Sequence, residues 1–303
     1  MLTKTLAVNV KVATLWTKPQ NPPREIDKPA LENPVRLEEW LDSLHYEPRL
    51  QLCNDNMVQS QLLYGEKVLF LDEEDGWSKV IALSQPSSKD ERGYPGWMPS
   101  TQLKEIEEYT KLSDDKTVEV VKPVTNLFED KDKKGLEVSF QTRLPFIEEE
   151  EEWIQVGTPT GYQWLKKEDV MVREKNTPKG DGEQVIKAAE KFVGLPYLWG
   201  GMSSFGYDCS GFSYNMTRSI GYTIPRDAHD QAKDGKVIEK EDLKRGDLLF
   251  FAYEQGKGAV HHVAIYYGDG KMIHAPNTGK TVEIIELAGT IYEEEHCESR
   301  RYW

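Results

Sequence analysis

The sequence has little cysteine. Its 303 residues include three, Cys53, Cys209 and Cys297, far apart and without a CxxC pair. So odd and sparse a set excludes a disulfide framework and argues against a structural zinc site. Long apolar runs are also missing, and none is long enough to span a bilayer. Positive charge is short: 38 Lys and Arg stand against 52 Asp and Glu, a net charge of -14. Such a chain repels nucleic acid and anionic membrane surfaces, so neither is expected as a partner. Met1–Val12 alternates polar and apolar residues, with no charged region, apolar block and small-residue cleavage site, so no signal peptide is read there. The expected location is the cytoplasm, with a secreted or surface-bound protein as the alternative if a leader has been removed.

What is present falls into three stretches. Residues 7–16 alternate with period two and predict a strand, followed by a Pro- and Asn-rich loop, Pro19 to Pro34. Leu37, Trp40, Leu41 and Leu44 have helical spacing, so Arg36–Leu44 predicts a short helix inserted in the first domain. Strands resume at Val58: an apolar run at 68–71, an acidic turn at Asp72–Gly76, a Trp-led strand from Trp77, and Gly93-Tyr94-Pro95-Gly96-Trp97. A second copy of that order begins near Thr117, with an acidic run at Glu148–Glu152, a strand from Trp153, and Gly161-Tyr162-Gln163-Trp164. The repeat predicts two small all-β domains, 1–108 and 109–175, and the short strands with glycine turns fit small barrels. The pattern resembles the bacterial SH3-like domains of cell-wall proteins.

Lys175–Gly182 reads as a linker. Beyond it, Val185, Ala188, Ala189 and Phe192 predict a helix over Glu183–Val193, ended by Gly194. A second helix starts at Cys209, N-capped by Asp208 and carrying Phe212, Met216 and Ile220. A short helix follows around Ala228–Ala232. Gly246–Phe251 reads as a strand buried on both faces, His262–Tyr267 and Lys271–Ala275 as a hairpin, and Val282–Ile285 and Ser299–Trp303 as closing strands. Helices first and strands after make residues 183–303 an α+β domain.

A cysteine in the first turn of a helix meets unpaired N–H groups and the positive end of the dipole, which favour the nucleophilic thiolate and lower its pKa. It also needs a base, and the base an orienting partner. His229, His261, His262, His274 and His296 are the candidates. A three-residue Gly268-Asp269-Gly270 loop sets Tyr267 opposite Lys271 and Ala264 opposite His274. His262 is then a diagonal neighbour of His274 on one face, with small Ala264 leaving room, and His261 points the other way. Cys209 as nucleophile, His262 as base and His274 as its orienter form a plausible triad.

Several motifs sharpen this reading: Pro196-Tyr197-x-Trp199-Gly200-Gly201, Asp208-Cys209-Ser210-Gly211-Phe212, Ile224-Pro225-Arg226, Gly246-Asp247-Leu248, His262-Val263-Ala264-Ile265-Tyr266 and Met272-Ile273-His274-Ala275. Together they make 183–303 resemble the NlpC/p60 family of bacterial cell-wall cysteine peptidases. The resemblance implies an α+β papain-like catalytic domain behind two SH3-like barrels. It places the family's catalytic residues on Cys209, His262 and His274, choosing His262 over His261, and its oxyanion-holding tyrosine on Tyr197. It implies no cofactor and no metal.

Family members cleave murein peptides, most often between γ-D-glutamate and meso-diaminopimelate or L-lysine. The three-domain architecture resembles the YkfC-type γ-D-glutamyl-diamino-acid endopeptidases, which release L-Ala-γ-D-Glu from free murein peptides with an unblocked L-Ala amine. The implied partner is such a peptide, in cell-wall recycling; the sequence leaves the oligomeric state open, with a monomer as the expectation. A free ammonium needs a carboxylate or hydroxyl partner where the dipeptide ends; Asp227 is the first choice. Arg226, Ser210 and Asp208 are candidates for the glutamyl carboxylate. Trp199 is a further substrate-binding candidate, and Tyr94, reaching from the first barrel on an unusually long loop, a candidate for capping the cleft's closed end. The competing readings are a broader endopeptidase on intact peptidoglycan, a non-catalytic wall-binding protein, and a zinc hydrolase using Cys209, His262 and His274, which lacks an HExxH-type ligand spacing.

Overall fold

The computed structural model describes residues 4–303. The first three residues of the Met1–Val12 stretch, on which the leader reading bears, lie outside them. Contacts group the chain into two units. One holds the chain up to Ser84, Arg92–Thr177 and Ser203–Phe205; the other holds Gln85–Glu91, Pro178–Met202 and Gly206–Trp303.

In the first unit the alternating stretches form two seven-stranded sheets. Lys4–Val8 (β1), Val12–Trp16 (β2), Val58–Leu63 (β3), Lys67–Glu74 (β4), Trp77–Ala82 (β5), Tyr94–Pro99 (β6) and Leu103–Lys104 (β7) pair in the order β3-β2-β6-β5-β4-β1-β7. Lys116–Val120 (β8), Val124–Phe128 (β9), Lys134–Ser139 (β10), Arg143–Glu149 (β11), Trp153–Thr158 (β12), Gly161–Lys166 (β13) and Val170–Glu174 (β14) pair in the order β10-β9-β13-β12-β11-β8-β14. The two orders are one permutation, so the sequence repeat is a repeat of topology. Inward-facing residues make a core for each, around Leu15, Leu62, Val80 and Met98 in one and Val118, Leu127, Leu144 and Ile154 in the other. Tyr64, between β3 and β4, joins the second core and bonds Thr160 Oγ1 through its hydroxyl at 3.0 Å. The acidic turn ends in Asp75 and Gly76, both with positive φ (50° and 79°), as a two-residue hairpin turn requires.

The insertion is more helical than its periodicity predicts. Lys28–Leu31 (α1) and Tyr46–Asn54 (α3) flank the expected helix, which spans Leu37–Ser43 (α2). α3 has no apolar face; Leu52 is its buried residue. Its hold is polar: Arg49 donates to the carbonyls of Leu41 at 3.0 Å and Leu44 at 3.2 Å, which end α2. α1 lies in the proline-rich stretch, with Pro29 in the first turn, where a missing N–H costs nothing. Glu107–Thr110 (α4) precedes the second sheet.

The second unit opens with Gly182–Ala189 (α5), held at its start by a reciprocal pair between Asp181 and Gln184. Met202–Ser203 (β15) and Gly206–Tyr207 (β16) form a small hairpin before Cys209–Ser219 (α6) and Ala228–Gln231 (α7). Lys236–Val237 (β17), Leu248–Ala252 (β18), Val260–Gly268 (β19), Lys271–His274 (β20), Glu283–Glu286 (β21), Ile291–Glu295 (α8) and His296–Arg301 (β22) complete the unit. The sheet order is β17-β22-β18-β19-β20-β21, and α6 packs on β19 and β20. β18 is buried at every position, as its apolar run predicts. The last strand begins at His296, earlier than the expected Ser299, because it pairs along β18 as far as Phe251. α6 is buried from Cys209 to Arg218, and its polar side chains bond back into the helix: Ser213 Oγ to the Cys209 carbonyl at 3.1 Å and Asn215 Nδ2 to the Gly211 carbonyl at 2.9 Å.

Glu119, fully buried in β8, pairs with Arg143 at 3.0 Å and Arg173 at 2.8 Å. Glu119→Ala leaves two part-buried guanidinium groups without this carboxylate and is expected to cost about 3 kcal/mol. Urea unfolding followed by tryptophan fluorescence checks this; an unchanged midpoint refutes it.

Candidate active site

The site is built from the start of α6. Asp208 stands at the N-cap with extended backbone, and its Oδ1 accepts the Gly211 N–H at 2.6 Å. Oδ2 accepts the Gly200 N–H at 2.9 Å, tying the glycine-rich turn to the helix. Arg226 closes on the same carboxylate, donating to Oδ1 at 3.2 Å and Oδ2 at 2.7 Å, and to Ser210 Oγ at 2.8 Å. Gln231 Nε2 donates to the carbonyls of Ser210 at 3.0 Å and Pro225 at 2.8 Å. Gly211 permits the close approach: a Cβ there would lie 2.1 Å from the Gly201 carbonyl oxygen.

Cys209 is therefore fixed in the first turn of a helix, but its thiol is not acidic. Burial is the largest influence and, with the Asp208 carboxylate, pushes it from 9.0 up to about 12. Backbone hydrogen bonds from Val263 and Ser210 and the Arg226 charge oppose the rise and are outweighed. The magnitudes decide this. A helix N-terminus is worth up to ~2 kcal/mol, whereas a rise from 9.0 to about 12 corresponds to about 4 kcal/mol. The expected lowering of the thiol pKa is corrected accordingly.

The Val263 bond also places the sulfur against β19 at the residue after His262. His262 Nε2 and His274 Nδ1 are 2.8 Å apart. The hairpin differs from its expected form in one detail. The turn has two residues, Asp269 and Gly270, with Lys271 opposite Gly268 and a bulge between Tyr266 and Gly268. From Tyr266 opposite Met272 and Ile265 opposite Ile273 onward, the register is the expected one, because the bulge restores it. Burial depresses both rings: His274 falls from 6.5 to about 4, and His262, also affected by His274 and His261, falls well below 6.5. Both imidazoles are neutral at pH 7, so the resting thiol and both rings are uncharged.

His261 lies apart from this bond. Its Nε2 is 3.0 Å from Glu295 Oε2, and its ring stacks on Tyr253 at 4.1 Å. His229 is exposed, and His296 Nε2 lies 2.9 Å from Ser299 Oγ. Tyr197 is buried before the cysteine helix, its N–H bonded to the Lys280 carbonyl at 2.9 Å, and Trp199 is half-buried beside it. Asp208, Ser210 and Arg226 are buried in the network described above. Asp227 takes the N-cap position of α7 without capping it by its side chain, which lies 3.2 Å from Lys89 Nζ. Tyr94 is buried in the first sheet's core, its hydroxyl donating to Gln59 Oε1 at 3.3 Å.

Three features escape sequence reasoning. Gln231 has no motif of its own. Tyr292 packs at 5.1 Å edge-on to His274 and at 5.2 Å from His262. Glu283 stands opposite His274 in the β20–β21 pair, its Oε1 at 3.6 Å from His274 Nε2. A register for the last hairpin would have found Glu283, but the long 275–282 connection leaves that register open.

Residues 194–301 match the NlpC/P60 family and residues 120–172 the YkfC SH3b2 domain. Over 290 residues, 96% of each chain, the sequence is 48% identical to the γ-D-glutamyl-L-lysine dipeptidyl-peptidase of Bacillus subtilis. The chain belongs to the NlpC/P60 family. It is also 43% identical to the Bacillus cereus protein of that name, over 97% of this chain and 90% of the other. The crystal structure of a B. cereus NlpC/P60 family protein superimposes with a TM-score of 0.94 at 42% identity, covering 99% of both chains. The second unit thus has the papain-like NlpC/P60 fold, behind SH3b-like all-β sheets.

Buried neutral histidines have a consequence for this NlpC/P60 chain. The unfolded chain takes up protons near pH 6.5 that His274 refuses until about 4. That contribution to stability is intact above pH 6.5 and is lost as pH falls toward 4, by about 3 kcal/mol for His274. Denaturant unfolding at pH 7 and pH 4.5 is expected to show the loss, and His274→Asn to show less of it. Equal losses in both proteins would refute the assignment.

Proposed function

We propose that the chain is a cysteine dipeptidyl-peptidase. It hydrolyses the bond between γ-D-glutamate and L-lysine or meso-diaminopimelate in murein peptides with a free L-Ala amine, releasing L-Ala-γ-D-Glu. The observation that carries this reading is the 2.8 Å His262–His274 bond beside a helix-start cysteine. Two dipeptidyl-peptidases matched along nearly the whole chain support the substrate class. The histidine bond uses Nε2 of His262 and leaves Nδ1 for the thiol.

The chemistry then runs as two displacements. His262 Nδ1 takes the Cys209 proton as Sγ attacks the γ-glutamyl carbonyl. The oxyanion is held by the Cys209 N–H and the Tyr197 hydroxyl, donors worth roughly 3–4 kcal/mol each. His262 returns the proton to the departing α-nitrogen of the diamino acid, the C–N bond breaks, and a thioester remains. Water, losing a proton to His262, attacks the thioester; the dipeptide leaves with a free carboxyl and the thiol recovers its proton. A neutral resting pair suits this course, since the proton moves only as the new bond forms.

Specificity for a free amine needs an anionic end wall. Asp227 supports that role, because its carboxylate already faces an ammonium group, that of Lys89. Lys89 belongs to Gln85–Glu91, which the second unit includes. That segment is held by the Arg226 N–H on the Pro86 carbonyl at 2.9 Å and by the Ser88 N–H on Asp230 Oδ2 at 2.9 Å.

Cys209→Ala is expected to abolish release of L-Ala-γ-D-Glu from L-Ala-γ-D-Glu-L-Lys, read by chromatography of the products; full activity would refute the peptidase reading. Asp227→Ala should lower kcat/KM for this peptide by about 10- to 100-fold, the worth of a charged hydrogen bond. The Nα-acetylated peptide should be cleaved poorly by both proteins. Unimpaired cleavage of the blocked peptide by the unaltered enzyme would instead support a broader endopeptidase.

A further inference from the structure

We propose that Glu283 is a positioning residue that sets the tautomer of His274 and thereby keeps Nδ1 of His262 available as the base. This rests on the cysteine-peptidase reading and deepens it.

The two histidines share one hydrogen bond, and as neutral rings they can form it in two ways. In one, His262 donates its Nε2–H to a bare His274 Nδ1. His262 Nδ1 then carries a lone pair and can accept the thiol proton, and the proton of His274 sits on Nε2. In the other, His274 donates Nδ1–H to a bare His262 Nε2. The proton of His262 then sits on Nδ1, where it blocks proton transfer from Cys209. The bond length of 2.8 Å is the same in both.

The surroundings of His274 Nε2 choose between them. That atom is fully buried and has no hydrogen-bond partner among the described residues. The carboxylate oxygen Oε1 of Glu283 is 3.6 Å away. An N–H directed at a carboxylate is attracted; a lone pair facing one is repelled. The carboxylate therefore favours the proton on Nε2, which is the productive arrangement. The β20–β21 register delivers it, with Glu283 directly across from His274. The Glu283 side chain is 38% exposed, against 0% for His274, so it reaches the ring from the solvent side. No proton passes to Glu283: its charge orients the chain of donors and, when His262 takes the thiol proton, favours the imidazolium.

The titratable groups around this pair are few. Tyr292 faces both rings from α8, and its hydroxyl is pushed up to about 12 by burial, then by Cys209 and Glu283. Cys209 comes from α6. His261 neighbours His262 and is itself paired with Glu295.

The test compares the unaltered enzyme with Glu283→Ala, Glu283→Gln and, as control, Glu286→Gln, whose carboxylate pairs with Lys271 at the surface. Turnover of L-Ala-γ-D-Glu-L-Lys is measured across pH. In parallel, the rate of Cys209 alkylation by iodoacetamide is followed by site-resolved mass spectrometry, because Cys53 and Cys297 are also thiols outside any disulfide. Glu283→Ala is expected to lower kcat about tenfold, the lower end of what losing a histidine-orienting carboxylate costs, with KM unchanged. Its acid limb should move to lower pH, since the imidazolium has lost a favourable charge. Glu283→Gln keeps an acceptor but no charge, so it should recover part of kcat while its acid limb still moves. Alkylation of Cys209 should slow in the same order, and Glu286→Gln should match the unaltered enzyme throughout.

Identical pH profiles and alkylation rates in all four proteins would overturn the Glu283 proposal and leave the peptidase reading standing. An effect on KM alone, with the limb unmoved, would also overturn it. If the unaltered enzyme did not cleave the peptide, the peptidase reading would fail, and the alkylation series would still decide the role of Glu283.

Discussion

The Asp208 carboxylate is where the glycine-rich turn, the cysteine helix and the Ile224–Gln231 segment meet. It accepts from the backbone of Gly200 and Gly211, from both terminal guanidinium nitrogens of Arg226 and from Ser210. The Arg226 side chain is 1% exposed and that of Asp208 8%, so both charges of the pair are largely withdrawn from water. Burying such a pair costs several kcal/mol per ion, and the attraction offsets that cost only with good geometry and satisfied lone pairs. Here every acceptor direction of the carboxylate is used. The gain lies in position: three stretches of backbone are held to one point, and Cys209 is the next residue along the chain. Without that anchor, a thiol in the first turn of a helix has no fixed distance to β19.

The same burial that fixes the site governs its electrostatics. Desolvation is the largest influence on Cys209, His262 and His274 alike, and in each case it favours the uncharged form. A thiolate–imidazolium pair is thus not stored at rest. What the fold supplies instead is direction. In the proposed mechanism, the Val263 N–H on the sulfur, the His262–His274 bond and the carboxylate of Glu283 together set which nitrogen of His262 serves the thiol. Preorganised dipoles of this kind act at the moment charge develops, and in a dry site they act strongly.

Much of this was legible in the sequence, for identifiable reasons. Asp208 before an apolar helical pattern announced the cap, and the hairpin read over His262–Tyr267 and Lys271–Ala275 set His262 on the face of His274 and His261 on the other. The two-residue Asp269–Gly270 turn should have broken the count, but the bulge between Tyr266 and Gly268 restores the register before the residues that matter. What stayed hidden depends on long-range pairing. Glu283 acquires meaning only from its register with His274, and Tyr292 only from the packing of a five-residue helix. α3 stayed hidden for a different reason: its stability comes from Arg49 on the carbonyls of the preceding helix, and no periodicity records that.

The duplicated topology isolates what is special to the first sheet. Both copies share one strand order, and their largest differences lie in the connections. Between the second and third strands the first copy carries residues 17–57 and the second only 129–133; between the fifth and sixth it carries 83–93 against 159–160. Lengthening a surface connection costs little, about 0.6 kcal/mol for each doubling, so such additions are easily carried by a stable sheet. Added loops are also where binding residues concentrate, because a rigid scaffold holds them. The second addition is itself tied down by polar bonds. Its Gln85–Glu91 portion groups by contacts with the unit that holds Cys209, and it bonds Arg226, Asp227 and Asp230. Arg226 is the residue that clamps Asp208. The loop that faces the proposed amine site is therefore one residue removed from the ion pair beside Cys209, so the proposed binding at Asp227 and the placement of Cys209 share one piece of backbone.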